Sequence, residues 1–325
     1  MTRAPLRLGT RGSQLALWQA RSVGAALRKA GHPVELVTIK TIGDRLQDAP
    51  LSEAGGKRLF VKDIEDALLR GEIDLAVHSA KDLPASIPEG LTITAALERE
   101  DPRDAIVLPH SHDASDVRTV LAALPERATV GTGSIRRVAQ LRALLPSAAF
   151  VPIRGNVDTR LRKLDEGQFD ALVLACAGLR RLNFASRISA ALTIEHCVPA
   201  PGQGIVAVET REEDEAVLSC LTDLRNAAAD VALTAERALV EALGGDCQIP
   251  LGALARLDGA GIEMSAVVCS ADGHQVVRRY ARGPMAYPER LGIRLADELV
   301  NSGAAKILDE VRRAAGGGTG HTEDA

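Results

Sequence analysis

A chain of 325 residues is too long for one small core, and its 46% hydrophobic content is enough to fill two or three. Aromatics are only 2% and the formal net charge is -4, which argues against a base-stacking single-strand binder and against a globally basic surface for nucleic acid or anionic membrane. The first residues lack a signal-peptide pattern and no apolar run is long enough to span a membrane. The five cysteines (Cys176, Cys197, Cys220, Cys247, Cys269) form no CxxC pair, so the expectation is a metal-free protein of the reducing cytoplasm.

Residues 6–8 read as a strand, 9–12 as a turn, and Ser13 as the cap of a helix. That helix has Leu15, Trp18, Val23 and Leu27 on its apolar face and Gly31 as its stop. A strand at 34–39, a helix at 61–69 closed by Gly71 and a strand at 73–77 complete a βαβα pattern, which predicts a mainly parallel sheet covered by helices. The pattern restarts after Asp101-Pro102-Arg103. Strands at 106–108 and 129–130 precede a helix bearing Val138, Leu141 and Leu145; a strand at 150–153, a helix at 158–166 and a strand at 171–175 follow. The loop Pro199-Ala200-Pro201-Gly202-Gln203-Gly204, ahead of a strand at 205–209, suits a return crossing between domains. The last third holds a helix at 230–243, short strands broken by the hairpin signals Asp258-Gly259 and Asp272-Gly273, and helices near 287–301 and 304–314. The expected architecture is α/β. Residues 1–98 plus about 199–216 form one α/β domain, 102–195 a second and 218–315 a small α+β domain, with 316–325 a disordered tail.

The basic residues fall where these elements end. Arg11 follows the first strand, and Lys81 and Asp82 follow a later one. Arg136 and Arg137 come after Gly131-Thr132-Gly133-Ser134, Arg154 and Arg160 flank Gly155-Asn156, and Arg180 and Arg181 follow Ala177-Gly178. Open α/β sheets place their ligand crevice at such strand ends, and helix N-termini add N–H groups that favour anions. Arginine in a first helical turn opposes the helix dipole by roughly 0.3–1 kcal/mol, so Arg136 and Arg137 have no obvious stability rationale there and call for a bound anion. The planar guanidinium fork suits carboxylates. Any one of these arginines could equally be solvated surface; five groups placed alike are harder to ascribe to chance. Asp82, a carboxylate among cations, is expected to stay charged and to stabilise a developing positive centre with proton transfer, against the plainer reading of a Lys81–Asp82 surface pair. Cys247, in Gly244-Gly245-Asp246-Cys247-Gln248, has a loop setting open to an attached group, although context alone favours an ordinary loop thiol.

The ordered motifs carry a resemblance. They are Thr10-Arg11 with Ser13 and Leu15-Ala16-Leu17-Trp18-Gln19-Ala20; Gly55-Gly56-Lys57 with Leu59-Phe60; and Ala76-Val77-His78-Ser79-Ala80-Lys81-Asp82-Leu83-Pro84. Then come Val130-Gly131-Thr132-Gly133-Ser134-Ile135-Arg136-Arg137, Arg154-Gly155-Asn156-Val157 with Thr159-Arg160-Leu161, Ala177-Gly178-Leu179 with Arg181-Leu182, Gly202-Gln203-Gly204, Ala235-Glu236-Arg237 and Gly245-Asp246-Cys247. Together they closely resemble the porphobilinogen deaminase (hydroxymethylbilane synthase) family over nearly the whole chain.

The resemblance implies two periplasmic-binding-protein-like α/β domains plus a third, and a dipyrromethane cofactor joined by a thioether to Cys247. It implies a monomer that condenses four porphobilinogen molecules head to tail in tetrapyrrole synthesis, with Asp82 catalytic. Lys81, Asp82, Ser134, Arg136 and Arg137 would bind the cofactor; Arg11, Ser13, Gln19, Arg154, Arg160 and Arg181 would bind substrate. Gly133, Asp158 and Arg58 depart from the family pattern. The reading from another class is a non-catalytic two-lobed anion-binding protein, which leaves Asp82, Cys247 and the third domain without a use.

Overall fold

The computed structural model describes residues 4–41, 61–110, 115–244 and 249–316. Cys247, the Gly55-Gly56-Lys57 segment with Arg58, Leu59 and Phe60, and the tail from residue 317 lie outside the described residues.

The first lobe contains β1 (Leu6–Thr10), α1 (Gln14–Lys29), β2 (Val34–Thr38), α2 (Lys62–Leu69), β3 (Leu75–Ser79) and β4 (Leu91–Ala96). The second contains β5 (Asp104–Val107), α3 (Val117–Ala122), β6 (Thr129–Gly131), α4 (Ile135–Leu141), β7 (Ala149–Val151), α5 (Val157–Asp165), β8 (Ala171–Ala175), α6 (Cys176–Arg181) and β9 (Ala190–Ala191). The chain then returns through β10 (Val206–Arg211) and α7 (Glu215–Leu221). The last part is α8 (Ala227–Ala242), β11 (Leu251–Asp258), β12 (Gly261–Cys269), β13 (Val276–Pro284), α9 (Pro288–Leu299) and α10 (Ala305–Gly316).

The two five-stranded sheets share one plan. Their orders are β2-β1-β3-β10-β4 and β7-β6-β8-β5-β9. In each, the first three strands are parallel and the fourth is antiparallel to both its neighbours. The sheets are therefore mixed, where alternation of strands and helices predicts mainly parallel ones. The fourth strand is the one that has just crossed from the other lobe, so no local helix sets its direction. Apolar clusters line both faces of each sheet, which is why four consecutive residues are buried in both β3 and β8. The third sheet, β11-β12-β13, is antiparallel, and α8, α9 and α10 cover it.

Residues 97–103 and 192–205 are the two crossovers, and the third domain clamps both. Ala229 and Leu233 of α8 pack with Ala80, Leu83 and Ile205, while Ala139 and Val198 pack with Leu254 and Val267. The Glu236 carboxylate, fully buried in α8, accepts hydrogen bonds from Arg99 Nη1 (2.6 Å), Gly202 N (2.6 Å) and Ala255 N (2.7 Å). One anion thus ties the first crossover, the second crossover and the third sheet. Gly204 has φ of +90°, and a Cβ there would lie 2.3 Å from the Glu100 carbonyl oxygen, so only glycine lets the crossovers approach this closely.

Candidate functional site

β1 lies between β2 and β3, and β6 between β7 and β8, so the strand order reverses at β1 and at β6. A crevice forms beyond the carboxyl ends of strands at such reversals. In the first lobe those ends carry Arg11, which is half-buried, and Ser13, whose hydroxyl caps α1 by accepting from Ala16 N at 3.3 Å. Gln19 is buried in α1, and its amide donates to Ser79 Oγ at 2.8 Å, fixing the end of β3. The chain then makes one 3-10 turn, Ala80–Asp82, with Lys81 and Asp82 both half-buried. Burial lowers the Lys81 ammonium to a pKa of about 8; Asp82 and Asp104 oppose the shift while Arg137 and Arg136 assist it.

From the second lobe, Arg160 in α5 donates through Nε to the Gly155 carbonyl at 2.8 Å. Burial and then Arg137 lower its pKa to about 10, with Asp82 acting the other way. Asp82 therefore acts on Lys81 in its own turn and on Arg160 across the crevice, so the structure brings these predicted residues together from both lobes. Ser134 is half-buried at the start of α4, and Arg154 is half-buried beyond β7. Asp158 in the first turn of α5 leaves a buried Oδ1 without a hydrogen bond among the described residues.

Arg136 and Arg137 are 5% and 6% exposed, and the anion they face is part of the protein. Asp104, at the start of β5 and fully buried, accepts from Arg137 Nε (3.0 Å) and Nη2 (2.7 Å) and pairs with Arg136 Nη1 at 2.8 Å. Arg136 also donates to the Val198 carbonyl at 2.7 Å, and Arg137 to the Val173 carbonyl at 2.8 Å. Burial disfavours the Asp104 charge, but the two guanidinium groups outweigh it and hold the carboxyl well below the usual range. Asp104 thus supplies the counter-charge that the first turn of α4 requires. Sequence reasoning missed it; the signal was an acidic residue adjoining the apolar run Ala105-Ile106-Val107, where a charge enters the core only with partners.

Arg181 closes α6. It donates to the Gly204 carbonyl at 2.7 Å, lies 5.5 Å over the Trp18 ring, and keeps a buried Nε that has no hydrogen-bond partner among the described residues. Its neighbour Arg180 points elsewhere and pairs with Asp101 at 3.4 Å.

Two family models match in tandem. One, described as porphobilinogen deaminase, dipyromethane cofactor binding domain, covers residues 6–219; the other, porphobilinogen deaminase, C-terminal domain, covers 231–301. The porphobilinogen deaminase of Geobacter metallireducens is 46% identical over 308 residues, spanning 94% of each chain. The chain belongs to the porphobilinogen deaminase family. A further family member, from Pelobacter propionicus, is 45% identical over 94% of this chain and 97% of its own. Among solved structures, the Bordetella pertussis BvgS periplasmic VFT2 domain aligns with 67% of this chain and 86% of its own at 17% identity and a TM-score of 0.39. That likeness is remote, and no ligand is inferred from it. Among the described residues, no helix is long and apolar enough to cross a membrane.

Proposed function

We propose that this crevice joins four porphobilinogen molecules head to tail on a covalent dipyrromethane primer held by Cys247, releases one ammonia per addition, and frees hydroxymethylbilane by hydrolysis. The observation that carries the reading is the half-buried carboxylate of Asp82, set among cations from both lobes. Each pyrrole carries an acetate and a propionate, so a growing polypyrrole is a ladder of carboxylates. The donor set fits such a ladder, since a hydrogen bond to a charged group contributes about 1.5–3 kcal/mol and several act together.

In this reading Lys81, Ser134, Arg136 and Arg137 hold the acid groups of the primer. Arg11, Ser13, Arg154, Arg160 and Arg181 hold those of incoming substrate, and Gln19 acts through Ser79. When bound, the primer supplies the terminal pyrrole carbon that is extended. Asp82 provides negative charge for a substrate that turns cationic as ammonia leaves, and its carboxylate can hold and return a proton. Arg136 and Arg137, locked on Asp104, offer their remaining N–H groups from a fixed position, which avoids reorganisation during the reaction.

The described cysteines support Cys247 as the point of attachment. All four are buried, and burial pushes the Cys176 and Cys197 thiols up to about 12 and Cys269 to about 11. Such thiols stay protonated and enclosed. The same reading takes the division into residues 1–98 plus 199–216, 102–195 and 218–315 as three working parts of a cytoplasmic monomer without nucleic-acid or membrane partners.

The test is an intact mass and an Ehrlich reaction on the purified protein freed of porphobilinogen, together with an ammonia assay during incubation with porphobilinogen. The expected result is a mass above the sequence mass by one dipyrromethane, a coloured product and ammonia release. Protein at sequence mass, with no colour and no ammonia, would move the assignment to a non-catalytic anion-binding protein.

A further inference from the structure

Gln203 stands where both crossovers meet the crevice. It is 1% exposed, between Gly202 and Gly204, whose φ values of +73° and +90° press this loop against Ala80, Lys81 and Glu100. Its Nε2 donates to the Pro102 carbonyl at 2.7 Å and to Asp104 Oδ1 at 2.9 Å. Its Oε1 accepts from Lys81 Nζ at 3.3 Å, and its backbone carbonyl accepts from Arg99 Nε at 2.8 Å. Partner chemistry fixes which way the amide points. Reversed, it would set an oxygen against two oxygens and an NH2 group against an ammonium. The position needs two donors on one side and a neutral acceptor on the other, which a glutamine amide supplies.

We propose that Gln203 is a positioning residue for the crevice: it holds the Lys81 ammonium on a neutral oxygen while anchored to Asp104 and the first crossover. The first lobe's cation is thereby kept charged and in a fixed relation to the second lobe's arginines. The charged groups acting on Lys81 are Asp82 in its own turn, Asp104 on β5, and Arg136 and Arg137 on α4. These are two anions and two cations, acting in opposite directions on the ammonium that the amide oxygen holds. A carboxylate in its place would keep the ammonium charged but pair with it and offset its pull on an acidic ligand. An apolar side chain of the same length would leave the ammonium without that oxygen and favour the neutral amine.

The experiment compares the full-length protein with Gln203→Met and Gln203→Glu. Lys81 is titrated by NMR of isotope-labelled lysine, its resonance assigned by its loss in Lys81→Arg. The geometry predicts opposite shifts of about one pH unit each: down from about 8 in Gln203→Met, up in Gln203→Glu. Turnover of porphobilinogen is expected to fall at least tenfold in both; this second readout alone rests on the proposed function. Titrations that coincide with the parent, or that move in the same direction in both variants, overturn the assignment, because general distortion has no reason to split by charge. Opposite shifts with full turnover also overturn it, since Lys81 would then be held without being used. A parent that turns over no porphobilinogen while the titrations still split would strike the proposed reaction and leave the Lys81–Gln203 contact standing.

Discussion

Asp82 and Asp104 are carboxylates near the same cations, yet they are built for opposite purposes. Asp104 is fully buried on β5, gripped by two arginines and by Gln203. Asp82 is half-buried on a short turn and acts on Lys81 and Arg160 through space. The first carboxylate is consumed by structure; in the proposed function the second serves a ligand. Formal charge in a crevice therefore says little until the partners of each group are counted.

The strongest test of that contrast is Asp104→Asn. It leaves two buried guanidinium groups without their anion, so a loss of about 3–5 kcal/mol in urea unfolding is expected, with turnover lost as the arginines move. The pH dependence follows from the sign of the shift. The folded-state pKa of Asp104 is depressed, so its contribution is present above the ordinary carboxylate pKa and is lost as pH falls towards the folded value. The stability gap between parent and variant should be flat above about pH 5 and shrink below about pH 4. A gap independent of pH into strong acid would mean that Asp104 is not the anion holding the pair.

Asp82→Asn should invert the pattern. The unfolding midpoint is expected to stay within error of the parent, while kcat falls on the order of 10²-fold or more, equivalent to about 2.7 kcal/mol of barrier. Near-normal turnover would remove Asp82 from its role and erase the contrast.

The Asp82 side of this contrast was legible in the sequence; the Asp104 side was not, and that has a physical cause. The positions of Arg11, Lys81, Ser134 and Arg154 just after strands, and of Arg160 on the helix that follows Arg154, follow from periodicity and turn residues, both local signals. The hairpin signals at Asp258-Gly259 and Asp272-Gly273 fall between β11 and β12 and between β12 and β13 for the same reason. What escaped is non-local. The fourth strand of each sheet runs antiparallel because it arrives from the other lobe, which no window of neighbouring residues records. Asp104 and Gln203 lie 99 positions apart and meet only because two crossovers run side by side. Gln203 sat inside a recognised motif, but the motif did not reveal that its amide joins Lys81 to Asp104.

The crossovers themselves offer a smaller test. Gly204→Ala adds a Cβ at positive φ, 2.3 Å from the Glu100 carbonyl. Strain of this kind costs about 1–3 kcal/mol, and the separated loops would also loosen the Arg181 bond to the Gly204 carbonyl. The expected result is a lower unfolding midpoint with a partial loss of kcat, smaller than that of Asp82→Asn. An unchanged midpoint would show that the loop shifts freely and does not fix the lobes.

The smallest effect concerns Cys197, and it separates what holds Asp104 from what holds the primer. The Cys197 thiol donates to Asp104 Oδ2 at 3.5 Å and accepts from Arg136 Nη1 at 3.3 Å; sulfur is a weak donor and acceptor beside the charged arginine bonds. If the guanidinium groups do the holding, Cys197→Ala should lower stability by only about 1 kcal/mol and leave turnover alone. A loss approaching that of Asp104→Asn would instead make the thiol a structural partner of the cluster. The same variant bears on attachment: with its thiol held near 12 by burial, Cys197 has no thiolate to offer at neutral pH. Intact mass should therefore show the dipyrromethane retained in Cys197→Ala and absent in Cys247→Ala. Retention in both would place the primer on a different side chain, and loss in both would mean that the Asp104 cluster must be intact before the primer can be loaded.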